Sequence, residues 1–200
     1  RDVAPSRGLG DVYKRQFLPM ANMSHISTNS PHAWILAARP KTLTGAAVPV
    51  MIGISAAWAD GFFRPVPALL CFLFAFFMQI DANFINDYYD FRKGLDDEKR
   101  LGPKRACAEG WITLPAMRRG IVCTTLLSCL TGLPLVWYGG WTMVLVGVCC
   151  VVFCFLYTTC MARLGLGDLL VLVFFGLVPV GATSVSYTHL RAHETELQLV

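Results

Sequence analysis

The stretch "ALLCFLFAFFMQIDANFINDYYD", Ala68–Asp90, changes character halfway along its length. Its first half continues an apolar run that is fit to cross a bilayer, which takes about 20 mostly apolar residues in a helix. Its second half contains Gln, Asn and Asp side chains, which are costly to expose to lipid. The stretch therefore predicts a membrane helix that carries a polar site at one end.

The composition of the whole chain is that of an integral membrane protein. Of its 200 residues, 55% are hydrophobic and 15% are charged, with a mean hydropathy of +0.53, whereas soluble domains carry about 25% charged residues. The eight cysteines show no metal-binding spacing and are interpreted as free, buried thiols. We expect a lipid bilayer around the protein and no nucleic-acid partner.

Apolar segments separated by short connectors predict an all-α transmembrane helical bundle. Before them, "HAWILAARPKT", His32–Thr42, predicts a short interfacial helix with Trp34 at the level of the lipid headgroups. The predicted spanning segments are Leu43–Ala59, Val66–Ile85, Pro115–Val136, Trp141–Cys160 and Asp168–Thr183.

The basic residues predict the orientation of this bundle. Eight of the 17 Lys and Arg residues lie in the connector Asn86–Arg119, and only Arg64 lies between segments on the opposite side. Because cytoplasmic loops carry an excess of Lys and Arg, this connector is predicted to be cytoplasmic. A bacterial inner membrane is the expected location. The basic residues of the connector are Arg92, Lys93, Lys99, Arg100, Lys104, Arg105, Arg118 and Arg119.

The two ends of the chain are predicted to be foreign to the protein. "SRGLGDVYKR" (Ser6–Arg15) and "VSYTHLRAHET" (Val185–Thr195) can be encoded by one DNA element read in opposite directions, as a library adaptor would be. Residues 1–16 and 184–200 are therefore not expected to pack onto the bundle. Residues 17–33 are predicted to be a flexible segment, and 34–183 to be the first part of a membrane domain that continues beyond Thr183.

The polar half of the opening stretch forms a stripe when it is placed on a helix. Gln79, Asn83, Asn86, Asp87 and Asp90 recur at helical spacing. Asp87 and Asp90 lie one turn apart, and Mg²⁺ is usually held by one or two carboxylates together with substrate phosphates. Asp96 and Asp97 follow, with Arg92, Lys93, Lys104 and Arg105 nearby for an anionic ligand. The pattern predicts a Mg²⁺-dependent diphosphate site. Asp81 lies off the stripe and has no predicted role.

Three other interpretations of these residues fit the sequence less well. A solvated loop beside the membrane would also carry mixed charges, but Asn83, Asn86 and Asp87 belong to the helix. A CDP-alcohol phosphotransferase would need a DGxxAR-type block and a GxxxDxxxD block, which this sequence lacks. A non-enzymatic membrane protein such as a channel subunit would place polar residues near the midplane of several helices, whereas here they gather at one face.

Four ordered blocks resemble the UbiA superfamily of intramembrane prenyltransferases. They are "ARPKTL" (Ala38–Leu43), "NDYYDFRKGLD" (Asn86–Asp96) with Asn83, "RLGPKRA" (Arg100–Ala106), and a "YT…GLGD…VFFGLV" block that contains Tyr157 and Asp168. Within the superfamily they look most like the members of menaquinone biosynthesis. The resemblance implies about nine spanning helices in a complete protein, of which about five lie here.

The resemblance also implies a reaction and roles for individual residues. A polyprenyl diphosphate would lose diphosphate with the help of Mg²⁺, and 1,4-dihydroxy-2-naphthoate would take up the prenyl group; 4-hydroxybenzoate, homogentisate or a porphyrin-type ring are the alternative acceptors. The implied catalytic residues are Asn86, Asp87 and Asp90, with Asp87, Asp90 and Asp96 as metal ligands. The implied substrate-binding residues are Asn83, Arg39, Lys41, Lys93, Arg105, Tyr157 and Asp168.

The chain departs from the family pattern in several places. The family's second Asp-rich motif is expected beyond Thr183, so the present chain is predicted to be inactive by itself. Between Tyr157 and Gly165 it looks about two residues short of the pattern. The second Asp-rich motif and the identity of the acceptor are implied by the resemblance alone, and no residue of this sequence indicates them by itself.

Overall fold

The computed structural model describes residues 26–61, 63–94, 104–159, 177–178 and 180–183, with the backbone alone for 157–159. The described residues form helices and turns with no strand, which confirms the predicted all-α class. The helices are α1 (Pro31–Ala38), α2 (Pro40–Ala59), α3 (Pro65–Arg92), α4 (Leu114–Gly132), α5 (Val136–Gly139) and α6 (Thr142–Thr159), with a 3₁₀ turn at Leu133–Leu135 before α5.

Proline residues set where several of these helices begin. Pro31, Pro40 and Pro65 each open a helix, where the missing N–H costs nothing and the fixed φ suits the first turn. Ser30 caps α1, and its hydroxyl accepts a hydrogen bond from the backbone N–H of Ala33 at 3.2 Å. Between α1 and α2, Arg39 adopts a left-handed conformation with φ of 53°, a conformation in which many helices end.

Three described helical stretches are long and apolar enough to cross a membrane: Pro40–Ala59, Pro65–Arg92 and Leu114–Gly139. They correspond to the first three predicted segments, and α6 contributes a shorter apolar helix over Thr142–Leu156. The third segment, predicted over Pro115–Val136, is one continuous helical stretch, in which Leu133–Leu135, with Pro134, form a 3₁₀ turn between α4 and α5. Most of the fifth, Asp168–Thr183, lies outside the described residues, although Thr183 is buried and packs beside Gly53 of α2.

Helix α3 lies at the centre of the described bundle and packs against α1, α2, α4 and α6. A first buried cluster joins its polar end to α1, to the connector before α4 and to α4 itself. Its members are Ala33, Ala37, Phe84, Ile85, Ala106, Cys107, Trp111, Ile112, Ala116, Met117 and Ile121. A second, at the other end, contains Val50, Cys71, Leu135 and Met143.

Helix α1 packs onto the bundle, and its predicted place at the membrane interface stays a prediction. Ala33 and Ala37 are buried in the first cluster, and the Trp34 ring meets the Phe84 ring edge-on at 5.4 Å between centroids. The same ring covers Gly120 so closely that a Cβ there would lie 2.6 Å from it. Trp34 is therefore a packing residue between α3 and α4, a role that its sequence position beside Arg39 and Lys41 did not indicate.

Candidate functional site

A large cavity opens between α2, α3, α4 and α6. Its volume is about 910 Å³, and its walls are almost entirely apolar, with Phe74, Met78, Val136 and Phe153 among them. Polar side chains line it where α2 begins and α3 approaches its end: Lys41, Thr42, Thr44, Gln79, Asn83 and Asn86. The cavity is thus an apolar pocket with a polar mouth, a shape that suits an amphipathic ligand with a long apolar part.

The polar mouth is held together by hydrogen bonds to Thr42. Asn83 Nδ2 donates to Thr42 Oγ1 at 3.0 Å and to the carbonyl of Ala38 at 2.9 Å, and Gln79 Nε2 donates to Thr42 Oγ1 at 3.4 Å. The Thr42 hydroxyl in turn donates to the carbonyl of Arg39 at 2.9 Å. These bonds fasten the break between α1 and α2 to α3, and so fix where Lys41 enters the cavity wall.

Asp87 and Asp90 face a different neighbour, the connector that precedes α4. The Asp87 carboxylate is 1% exposed and accepts hydrogen bonds from the backbone N–H groups of Ala106, at 2.8 Å, and Cys107, at 3.0 Å. Asp90 Oδ2 accepts from Arg105 Nη2 at 2.5 Å. The side chain of Arg105 is 6% exposed and that of Asp90 is 21% exposed, so this ion pair is largely screened from water.

The structure therefore divides the predicted site into two adjoining groups. Lys41, Asn83 and Asn86 line the cavity mouth, whereas Asp87, Asp90 and Arg105 form the contact with the connector. Lys93 follows the end of α3, with its ammonium 5.9 Å from the centre of the Tyr89 ring, and Arg39 occupies the break between α1 and α2. Asp96, Asp168 and the Tyr157 side chain lie outside the described residues.

Two features, one in the site and one on the opposite side of α3, were not predicted from the sequence. The Thr42 hydroxyl joins the polar side chains of the mouth by hydrogen bonds. The sequence pattern indicated a role only for its neighbours Arg39 and Lys41. Asp81 is fully buried and accepts hydrogen bonds from the Thr124 hydroxyl at 2.6 Å and the Thr125 hydroxyl at 2.8 Å, both on α4. The signal that could have found this second contact is the pair of adjacent threonines inside an apolar helix.

The donor chemistry at this end of α3 suits Mg²⁺ in part. In the described ranges no three Asp, Glu, His or Cys side chains come together as a metal cluster. The Asp90 carboxylate and the Asn86 amide, one turn apart, offer the oxygen donors that Mg²⁺ prefers when substrate phosphates complete its shell. Both Asp87 oxygens already accept backbone N–H groups, and the metal-ligand role of Asp87 stays a prediction.

A comparison with protein families matches residues 46–195 to the UbiA prenyltransferase family. The matched range includes 184–195, which lies outside the described residues, and the foreign origin of that segment stays a prediction. No solved structure matches the chain.

Curated relatives carry names that agree with this family. The chain is 36% identical over 180 residues to 1,4-dihydroxy-2-naphthoate octaprenyltransferase of Escherichia coli, covering 86% of this chain and 57% of the relative. The Haemophilus influenzae protein of the same name is 34% identical, covering 78% and 54%. UbiA prenyltransferase domain-containing protein 1 of Danio rerio is 28% identical, covering 74% and 45%. The chain spans about half the length of these relatives. It belongs to the UbiA prenyltransferase family.

Proposed function

We propose that the full-length protein transfers a polyprenyl group from polyprenyl diphosphate to 1,4-dihydroxy-2-naphthoate, a step of menaquinone biosynthesis. The observation that carries this proposal is the apolar cavity of about 910 Å³ with Lys41, Asn83 and Asn86 at its mouth. The names of the relatives in Escherichia coli and Haemophilus influenzae support the choice of both substrates.

The cavity suits the prenyl chain of such a substrate. An isoprenoid tail has no hydrogen-bonding groups, so apolar walls such as those of Phe74, Met78 and Phe153 bury it without leaving a polar group unsatisfied. Each buried Å² of apolar surface stabilises the complex by about 25 cal/mol. With the tail in the cavity, the diphosphate would lie at the polar mouth, next to Lys41.

The charges at the mouth suit departure of the diphosphate. When the bond between the allylic carbon and the diphosphate oxygen breaks, negative charge builds up on the leaving group, and fixed cations stabilise it. Lys41 and Arg105 are the cations of the described residues that we assign to this role. A bound Mg²⁺ would add charge neutralisation there, and Asn86 and Asp90 are the described residues that would hold it, with Asp96 as a further predicted ligand.

The acceptor ring completes the reaction. The ring carbon that bears the carboxylate forms the new bond to the allylic carbon, and the carboxylate then leaves as carbon dioxide while its bonding electrons return to the ring. The apolar walls of the cavity keep water away from the allylic cation, which water would otherwise capture.

We also propose that the polar mouth faces the cytoplasm of a bacterial cell. The three membrane-length helices support an integral membrane protein. Lys104 and Arg105 lie on the connector that packs against the polar end of α3, and Arg118 and Arg119 lie near the start of α4. Cytoplasmic loops are the ones enriched in Lys and Arg.

Prenyl transfer by the purified full-length protein tests this function. We expect product from polyprenyl diphosphate and 1,4-dihydroxy-2-naphthoate, and loss of activity when EDTA removes Mg²⁺. Asp90→Asn should lower kcat/KM by about 10²–10³, the usual cost of one electrostatic contact to the transition state. Glu109→Gln, on the exposed side of the connector, is the matched control and should keep full activity. Activity with another aromatic acceptor alone, or activity that survives EDTA, would contradict the proposal.

A further inference from the structure

We infer that Asp87 is a positioning residue, whose carboxylate clamps the connector backbone to α3 and thereby places Arg105 beside Asp90. The clamp itself stands on the geometry of the described residues. Its consequence for diphosphate binding rests on the proposed function.

The first observation is how completely the Asp87 carboxylate is engaged. One oxygen accepts the N–H of Ala106 at 2.8 Å and the other accepts the N–H of Cys107 at 3.0 Å, and the residue is 1% exposed. Two consecutive backbone N–H groups on the two oxygens of one carboxylate fix both the position and the direction of the peptide chain. Hydrogen bonds to an ionised acceptor are also stronger than neutral ones.

The second observation is that the clamped peptide is part of a closed turn. The carbonyl of Ala106 accepts the N–H groups of Trp111, at 2.9 Å, and Ile112, at 3.2 Å. Both side chains are buried in the first cluster, Trp111 at 7% and Ile112 at 1% exposure. The connector over residues 104–113 is therefore a folded cap, and Asp87 holds it at the residue pair that follows Arg105 directly.

A third contact holds the opposite side of this cap. Asn29 donates its backbone N–H to the Trp111 carbonyl at 2.7 Å, and its side-chain oxygen accepts the N–H of Thr113 at 3.1 Å. The cap is thus held by the segment before α1 on one side and by Asp87 on the other. Release of the Asp87 side would free the part of the cap that carries Arg105 and leave the Trp111 side attached.

The consequence concerns Arg105. Because Ala106 and Cys107 are fixed, the backbone of Arg105 is fixed, and its guanidinium reaches Asp90 with little exposure to water. A guanidinium held in one orientation can bind phosphate oxygens with two parallel N–H groups. We therefore assign Asp87 an indirect part in diphosphate binding, through Arg105, instead of a direct bond to the metal.

Cys107 provides a probe of the clamp inside the chain itself. Its thiol belongs to a residue that is 5% exposed, and its backbone N–H is one of the two that Asp87 holds. In the full-length protein with Cys107 as its sole cysteine, the rate of maleimide labelling reports how often the cap opens. Asp87→Asn replaces one acceptor oxygen with an NH₂ donor that cannot accept an N–H group.

We expect Asp87→Asn to raise the labelling rate of Cys107 roughly tenfold or more, the effect of losing a buried hydrogen bond to a charged group. Asp90→Asn should change the rate by less than about threefold, because the clamp stays intact. Mn²⁺ binding, followed by electron paramagnetic resonance, should weaken in Asp90→Asn and stay unchanged in Asp87→Asn. The KM for polyprenyl diphosphate should rise in Asp87→Asn. If Asp87→Asn lost Mn²⁺ binding while Cys107 stayed protected from maleimide, the inference would be overturned.

A measurement on the unmodified Asp87 protein covers the case in which Asp87→Asn does not fold. Cys107 should stay protected after EDTA treatment, because the clamp uses backbone N–H groups and needs no metal. Rapid labelling of Cys107 in the metal-free protein would overturn the clamp. Labelling of Cys107 needs no substrate. If the full-length protein fails to transfer a prenyl group, the labelling rates therefore still test the clamp by themselves.

Discussion

Asp81 and Asp87 are both buried on α3, six positions apart, yet they are satisfied by different kinds of donor. Asp81 accepts from the hydroxyls of Thr124 and Thr125, at 2.6 and 2.8 Å, and Asp87 accepts from the backbone N–H groups of Ala106 and Cys107, at 2.8 and 3.0 Å. The first carboxylate fastens one helix to another, and the second fastens a helix to a connector.

The donors differ in what they can do without the carboxylate. The Thr124 hydroxyl is also within hydrogen-bonding distance of the Gly120 carbonyl, at 3.0 Å, and the Thr125 hydroxyl of the Ile121 carbonyl, at 2.9 Å. A hydroxyl rotates to whichever acceptor is present, whereas a backbone N–H points where its peptide points. We therefore expect Asp81 to be replaceable by an apolar side chain, whereas replacement of Asp87 leaves two backbone N–H groups without their acceptor.

The largest effect is expected when the donors of Asp81 are removed and the carboxylate is left. Thr124→Val with Thr125→Val keeps the shape of both side chains but leaves a buried carboxylate without these donors. We expect the free energy of unfolding to fall by about 3 kcal/mol or more, since each unsatisfied buried group costs about 1–3 kcal/mol and charged groups cost more. Unfolding of the detergent-solubilised protein measures this loss.

The same pair of threonine substitutions in an Asp81→Val background is the control. With no carboxylate to satisfy, the pair should cost less than about 1 kcal/mol, so the double-mutant cycle should give a coupling energy of about 2 kcal/mol. If the threonine substitutions lowered the free energy of unfolding equally in both backgrounds, the threonines would act through packing. Their hydrogen bonds to Asp81 would then contribute nothing to stability.

A smaller effect is expected from truncating the two carboxylates to the same side chain. Asp87→Ala should destabilise the protein by about 1–3 kcal/mol, because the backbone N–H groups of Ala106 and Cys107 lose their acceptor. Asp81→Ala should cost less, because the threonine hydroxyls turn to the carbonyls of their own helix and a costly buried carboxylate is removed. Midpoints of thermal unfolding under identical detergent conditions compare the two. A larger loss for Asp81→Ala would reverse the comparison.

Helical periodicity accounts for much of what the sequence predicted. Successive residues of a helix are about 100° apart, so Asn83, Asn86, Asp87 and Asp90 share one broad side of α3, and Asp81 lies on the far side, where α4 packs. Asn83 and Asn86 do line the cavity. That α3 stays helical through the polar half of the opening stretch was also predicted correctly, since its apolar and polar positions keep one period throughout.

Periodicity could not decide which neighbour each side chain meets. Asn86 and Asp87 are consecutive, so they lie on opposite edges of the stripe, about 100° apart. Asn86 reaches the cavity and Asp87 reaches the connector, because the connector folds back and places Ala106 and Cys107 against one edge. That placement depends on Trp111 and Ile112 entering the core, a non-local contact that no local pattern in Asn86–Asp96 encodes.

The smallest effect concerns the exposed ion pair of the connector, which sharpens the contrast with its buried contacts. Lys104 Nζ lies 3.0 Å from Glu109 Oε2, but the two side chains are 45% and 34% exposed. Solvent screens such pairs, which contribute about 0–1 kcal/mol. Lys104→Gln should therefore change the unfolding midpoint very little, should lose even that small effect at high salt, and should leave Cys107 as protected from maleimide as before. A Lys104→Gln protein with a reactive Cys107 would mean that surface charge holds the cap in place, and the role assigned to the Asp87 carboxylate would then pass to Lys104 and Glu109.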